Sequence, residues 1–306
     1  MRSTDFFSTH PVFTHEEYRA AHGHGRERSP RTADSLLTRH LGAGRLLHVR
    51  RGLYAVVPAG ANDQDFQVDP FLVASKLTKD AAVAYHAALQ FRGKTYSVWH
   101  RFAILTRTHL RPFTFQGNEF VGVAPPKPVR DSPDFGGGLV TEPYAGGEVR
   151  VTTLERTLVD LLDAPALGGG WEEVWRSLEM VEFFDLDAVV TYALELGTAL
   201  TLARVGFFLE QHREQLFVED RHIAPLRARA PKQPRYFDAT RASGRLVKPW
   251  NLVVSERVLS RSWEDVTDAL AASALAAWPR RGCFETGSGA RKRVLARSEA
   301  KKITGV

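Results

Sequence analysis

Between residues 28 and 51 the sequence sets guanidinium and hydroxyl groups at spacings suited to gripping a polyanion. Arg31, Thr32, Ser35, Thr38 and Arg39 recur at helical intervals, Arg28 and Ser29 precede them, and Arg50-Arg51 follow. Arginine can give two N–H groups to a guanine edge, and serine or threonine can contact bases or phosphates. A helix with such groups on its outer face and early turns suits the DNA major groove. Its free N–H groups behind Ser29 would favour a phosphate. Arg50 and Arg51 at a hairpin tip could reach a neighbouring minor groove or the backbone. Singly, these features are better explained by a solvated helix face and a charged turn. Their ordered combination within about 45 residues points to double-stranded DNA.

The elements that must hold these groups are legible. Thr14 with Glu17 has capping-box spacing, and Phe13 with Tyr18 occupies the staple positions, so a helix is predicted from Thr14 to about Ala21. The glycines in His22-Gly23-His24-Gly25 end it. Ser29-Pro30 opens a second helix, because serine caps well and proline at the first turn loses no needed hydrogen bond. Ala33, Leu36, Leu37 and Leu41 form its buried stripe, which leaves the polar set outside. Residues 45–58 read as a hairpin turning at Gly52. Helix, turn, helix and hairpin in that order is the layout of a winged helix-turn-helix.

Catalytic patterns are sparse. Gly93-Lys94-Thr95 resembles the end of a phosphate-binding loop, but Ala88 stands where the first glycine is required. Asp63-x-Asp65 and Asp185-x-Asp187 lack the Gly-Ser lead-in of a nucleotidyltransferase, and a loop and a helix start explain them better. His22 and His24 have no companions at metal-ligand spacing and are expected at the surface. Cys283 is the single cysteine, which excludes an internal disulfide framework and suits a reducing, cytoplasmic setting. The expectation is a protein without enzymatic activity, metal or cofactor.

The whole chain has 306 residues, 41 basic and 35 acidic, with 43% hydrophobic residues, so it can bury a sizeable core and is not a disordered polymer. Residues 1–60 carry nine Arg against five acids, and residues 280–306 carry eight Lys and Arg against two Glu. The remainder is mildly acidic. Basic ends suggest a polyanion partner. The N-terminus shows no apolar signal segment, and the stretch 188–209 is interrupted by Glu195 and Arg204, so no membrane association is expected.

Further along, helices are predicted after Asp69-Pro70 to about Leu77 and over 81–91, and β-rich runs over 95–107 and 119–124. A strand is predicted over 148–152, then a helix through Leu162 capped by Thr152 with Glu155. Helical patterns follow over 171–181, 185–196 and 198–216, until Pro225, Pro231 and Pro234 end them. Residues 248–254 read as a buried strand, 263–278 as a last helix and 280–306 as a basic tail. Arg156 and Asp160, one turn apart, are expected as a surface or interdomain pair worth a few tenths of a kcal/mol. The predicted organisation is α+β, with a winged helix-turn-helix and linking helices over 1–92, a larger mixed α/β domain over 93–279, and the tail.

The chain resembles the AbiEi-type antitoxins, the regulator half of an abortive-infection toxin–antitoxin pair. The similar stretches are Phe13-Thr14, Gly44-Arg45-Leu46 to Gly52-Leu53-Tyr54, Tyr85 to Leu89, Thr153 to Asp160, Arg204 to Glu210 and Pro249 to Leu252, in the family's order. The resemblance implies a winged module that binds repeats in the operon's own promoter and represses it. It also implies a larger domain that counteracts a nucleotidyltransferase toxin, directly or through the toxin's target. Residues 22–28 and the tail after Pro279 depart from the pattern. A stand-alone winged-helix regulator that senses a ligand or partner is the second reading. An enzyme using the module for targeting is the third, and would need carboxylates converging in space.

Overall fold

A computed structural model describes residues 3–23 and 30–263. They form an α+β fold in which a three-stranded sheet and a larger six-stranded sheet share an apolar core with the helix Pro70–Ser75. The first sheet grows from α1 (Ser3–Thr9), β1 (Val12–Thr14), α2 (His15–Gly23), α3 (Pro30–Gly42), β2 (Leu46–Arg50) and β3 (Leu53–Val56). It is antiparallel, in the order β1-β3-β2. The Thr14–Glu17 cap forms as expected: Thr14 N–H donates to Glu17 Oε2 at 2.7 Å, and Glu17 N–H to Thr14 Oγ1 at 3.2 Å. Phe13 and Tyr18 stack with centroids 5.6 Å apart.

Successive strand residues face opposite ways, so both faces of this sheet are occupied. Phe13 and Leu46 lie under the helices with Phe6, Tyr18, Ala33 and Leu37. Val12, Val49, Leu53 and Ala55 face the rest of the molecule and share a core with Phe71, Val83, Phe102 and Val149. Neither α1 nor β1 was expected. Phe6 of α1 also corrects the reading of His22, which is 5% exposed rather than a surface residue. The imidazole is enclosed by Phe6 and Tyr18 and its Nδ1 donates to the Tyr18 carbonyl at 2.9 Å. His24 lies outside the described residues.

The second sheet has six strands in the order β6-β7-β5-β4-β9-β8. These follow α4 (Pro70–Ser75) and comprise β4 (Ala82–Val83), then β5 (Arg101–Leu105) after α5 (His86–Phe91), then β6 (Phe113–Phe115), β7 (Asn118–Val123), β8 (Leu139–Tyr144) and β9 (Gly147–Thr152). The helix expected over 81–91 is therefore replaced in part by a central strand, which pairs with both β5 and β9. Tyr85, at φ 56°, turns the chain sharply from β4 into α5. Within residues 70–92, grouped by sequence with the N-terminal helices, β4 is thus a strand of the large sheet, and α4 and α5 pack on its strands.

A helical layer closes the fold: α6 (Leu154–Asp163), α7 (Trp171–Glu179), α8 (Leu186–Leu196), α9 (Ala199–Gln211) and α10 (Asp220–Ala228). The cap of α6 is Thr153, not Thr152, and receives the Arg156 N–H; Glu155 instead accepts from Asp185 N–H. Pro225 sits inside α10 rather than ending the helices. Arg156 and Asp160 are not a surface pair. Each is 1% exposed, because α6 is covered on every side. Small strands β10 (Arg235–Tyr236), β11 (Arg245–Val247) and β12 (Leu252–Val254) form a third sheet, followed by α11 (Glu256–Ser260). The strand expected over 248–254 begins only at Leu252; a tight turn at Lys248–Trp250 precedes it and buries Trp250. The expected helix over 263–278, the tail and Cys283 lie outside the described residues, Trp263 excepted.

Candidate nucleic-acid interface

The face of α3 is set by its apolar positions. Ala33, Leu37 and the His40 ring turn inward. The opposite side exposes Ser35, Thr38 and Arg39, whose i, i+3, i+4 spacing makes one stripe. Arg31 and Thr32 occupy the first turns of the same helix, and Arg28 and Ser29 lie outside the described residues. Thr38 Oγ1 also donates to the Asp34 carbonyl one turn back, at 3.0 Å. The helix is anchored to α2 through His15, whose Nε2 lies 2.8 Å from Asp34 Oδ1, with Arg19 Nε at 4.0 Å.

The two hairpin arginines part company. Arg51 projects into solvent, whereas Arg50 is half-buried, with its guanidinium 5.1 Å above the Phe113 ring. The hairpin tip is thereby tied to the edge strand of the large sheet. Arg45, which the sequence reading did not single out, is exposed just beyond α3. Its position after Gly44, where the chain turns back at φ 65°, was the available signal. Burial first, then the charges of Arg45 and Arg39, hold the His40 imidazole below its usual value. Those two guanidinium groups therefore project a common field at the end of α3.

Arg39, Arg45 and Arg51 have no ion-pair partner among the described residues. Nearby ammonium groups are matched: Lys76 Nζ meets Glu17 at 2.6 Å and Lys79 meets Glu16 at 3.3 Å. Burial alone would raise the Glu17 carboxyl, but Lys76 and the Thr14 cap outweigh it and hold the group low. The exposed face of α3 thus carries Arg39 with Ser35 and Thr38, Arg45 lies just beyond it, and Arg51 stands at the other end of β2. Such a surface can bind phosphates and offer arginine to base edges.

Three of the four acids in the pairs noted in the sequence have structural partners. Asp185 caps α8, Asp187 pairs with Arg221, and Asp65 accepts from Asn62. Lys94 pairs with Glu182 at 3.6 Å. Among the described residues, no group of three or more His, Cys, Asp or Glu could hold a metal ion, and no helix is long and apolar enough to cross a membrane.

No protein-family profile matches the sequence, and no match is found among curated proteins. Among solved structures the chain is similar to the crystal structure of RV2827C protein from Mycobacterium tuberculosis. The TM-score is 0.53 at 18% identity, over 84% of this chain and 91% of that one. At that identity the likeness concerns the fold.

Proposed function

We propose that the protein is a cytoplasmic DNA-binding regulator, the antitoxin and autorepressor of a toxin–antitoxin pair. The order helix, strand, helix, helix, hairpin, with β1 beside β3, is read as a winged helix-turn-helix with α3 entering the major groove. The observation that carries the reading is the exposed stripe of Ser35, Thr38 and Arg39 on α3, together with exposed Arg45 and Arg51, which have no ion-pair partner among the described residues. Control of a nucleotidyltransferase toxin rests on the family resemblance alone.

The test is binding of the full chain to its own upstream DNA and to random duplex across a salt series. Arg45→Ala with Arg51→Ala should weaken both complexes and lower the salt slope by roughly 0.9 for each lost phosphate contact. Arg39→Ala should also reduce preference for the upstream sequence. Unchanged affinity and slope in these variants would remove the module from the argument. Co-expression with the neighbouring gene, scored by growth, tests the toxin assignment separately.

A further inference from the structure

A second cationic surface lies far along the chain from α3. Residues 227–248 carry seven Lys and Arg and one acid, Asp238, a net of +6. The whole chain also has a net of +6, so the remaining 34 basic and 34 acidic residues cancel. Arg227 and Arg245 are answered by Glu210 and Glu256. Arg229, Lys232, Arg235, Arg241 and Lys248 are exposed and have no ion-pair partner among the described residues.

These cations lie on β10 and in the segments that lead into and out of β10 and β11, and the alternation along β10 turns Arg235 away from the face of Tyr236. Tyr236 pairs with Val253, and Val253 with Leu246, so the three side chains share one face in a row across the sheet. Strands sit roughly 4.8 Å apart, which makes the row about 10 Å wide. The opposite face holds Leu252, Val254 and, past the strand end, Phe237, all buried. Tyr236 and Leu246 remain 45% and 40% exposed. Gly244 brings β11 in close, since a Cβ there would lie 2.2 Å from the Val254 carbonyl.

We propose that this face binds single-stranded nucleic acid, with Tyr236 stacking on a base and cations of the adjoining segments taking the phosphates. An apolar row with unmatched arginine and lysine on the segments beside it is complementary to a polyanion whose bases are open. A duplex hides its base faces and would leave Tyr236 and Leu246 unused. Three of the five unmatched cations are arginines, whose planar fork fits phosphate and stacks on bases. The proposal is independent of the α3 reading, because it uses neither its residues nor its mode of contact.

Fluorescence anisotropy on the full chain tests it, with a labelled mixed-sequence RNA, the same sequence as single-stranded DNA, and the RNA duplex. Both single strands should bind more tightly than the duplex. Stronger binding of RNA would identify the 2′-hydroxyl as part of the ligand, and equal binding a surface indifferent to the sugar. Tyr236→Ala should weaken single-strand binding roughly five- to a hundredfold without changing the salt slope, and Tyr236→Phe should restore it. Lys232→Gln with Arg235→Gln and Arg241→Gln should lower the slope by roughly 0.7 per lost contact. All four side chains are exposed, and matching circular dichroism melts confirm folding of the variants. Arg45→Ala with Arg51→Ala should leave this binding intact. Single-strand affinity unchanged by Tyr236→Ala and by the triple variant overturns the proposal, as does attachment to phosphatidylserine vesicles in place of RNA.

Discussion

Arginine does opposite work in two parts of this molecule. In the helical layer, Arg156 Nε donates to Asp160 Oδ2 at 3.2 Å and its Nη1 to the Gly137 carbonyl, while the Tyr192 hydroxyl completes Asp160 at 2.8 Å. Arg204 reaches the carbonyls of Leu162 and Phe237 at 3.0 and 2.9 Å. Burial lowers the Arg204 guanidinium to about 10, against the opposing charges of Asp163 and Asp238, so it stays protonated at neutral pH. At the end of α3 and on the hairpin, Arg39, Arg45 and Arg51 keep their donors in water. The acceptors a fold places around a guanidinium decide whether it holds the chain together or remains available to a ligand.

That contrast is sharpest under substitution. Arg156→Ala should cost about 3–5 kcal/mol, since it strands the Asp160 carboxylate in the interior. Chemical denaturation measures this, and a loss under 1 kcal/mol would mean that α6 tolerates the unpaired acid. Within the N-terminal module a smaller effect comes from a local bond. Thr14→Ala should destabilise by about 1 kcal/mol through loss of the α2 cap, read from the same melts. The mildest effect is on pH dependence. The folded His40 pKa lies below that of the unfolded chain, so around pH 6.5 the unfolded state binds more protons. Stability should therefore fall as pH drops through about 6.5, and His40→Gln should flatten the slope of Tm against pH. An unaltered slope would show that His40 gains no proton on unfolding.

What could be read along the chain follows the range of the interactions. The Thr14–Glu17 cap, the Phe13–Tyr18 staple, the Pro30 start and the Gly52 hairpin all involve residues within a few positions of one another. The exposed stripe of α3 emerged for the same reason, since helical periodicity alone separates Leu37 from Ser35 and Thr38. Residues 81–91 misled because alanine-rich sequence suits a helix, while the flanking strands β5 and β9 recruit Ala82 and Val83 into a sheet. Thr152 and Thr153 differ by one position, and only the end of β9 selects the second as the cap.

Charge counted over long segments concealed the surface at residues 227–248, because the acids of the body cancel it in the sum. The pairing of Tyr236 and Leu246 with Val253 was equally hidden, since it joins residues separated by loops and by the buried turn at Trp250.

The sequence by itself determined the helix caps, the hairpin turn and the phase of α3, because backbone hydrogen bonding and side-chain periodicity act over one or two turns. The tertiary structure alone decided which cations are free. A guanidinium group's role depends on acceptors that arrive from distant segments, as Gly137 does for Arg156 and Phe113 for Arg50.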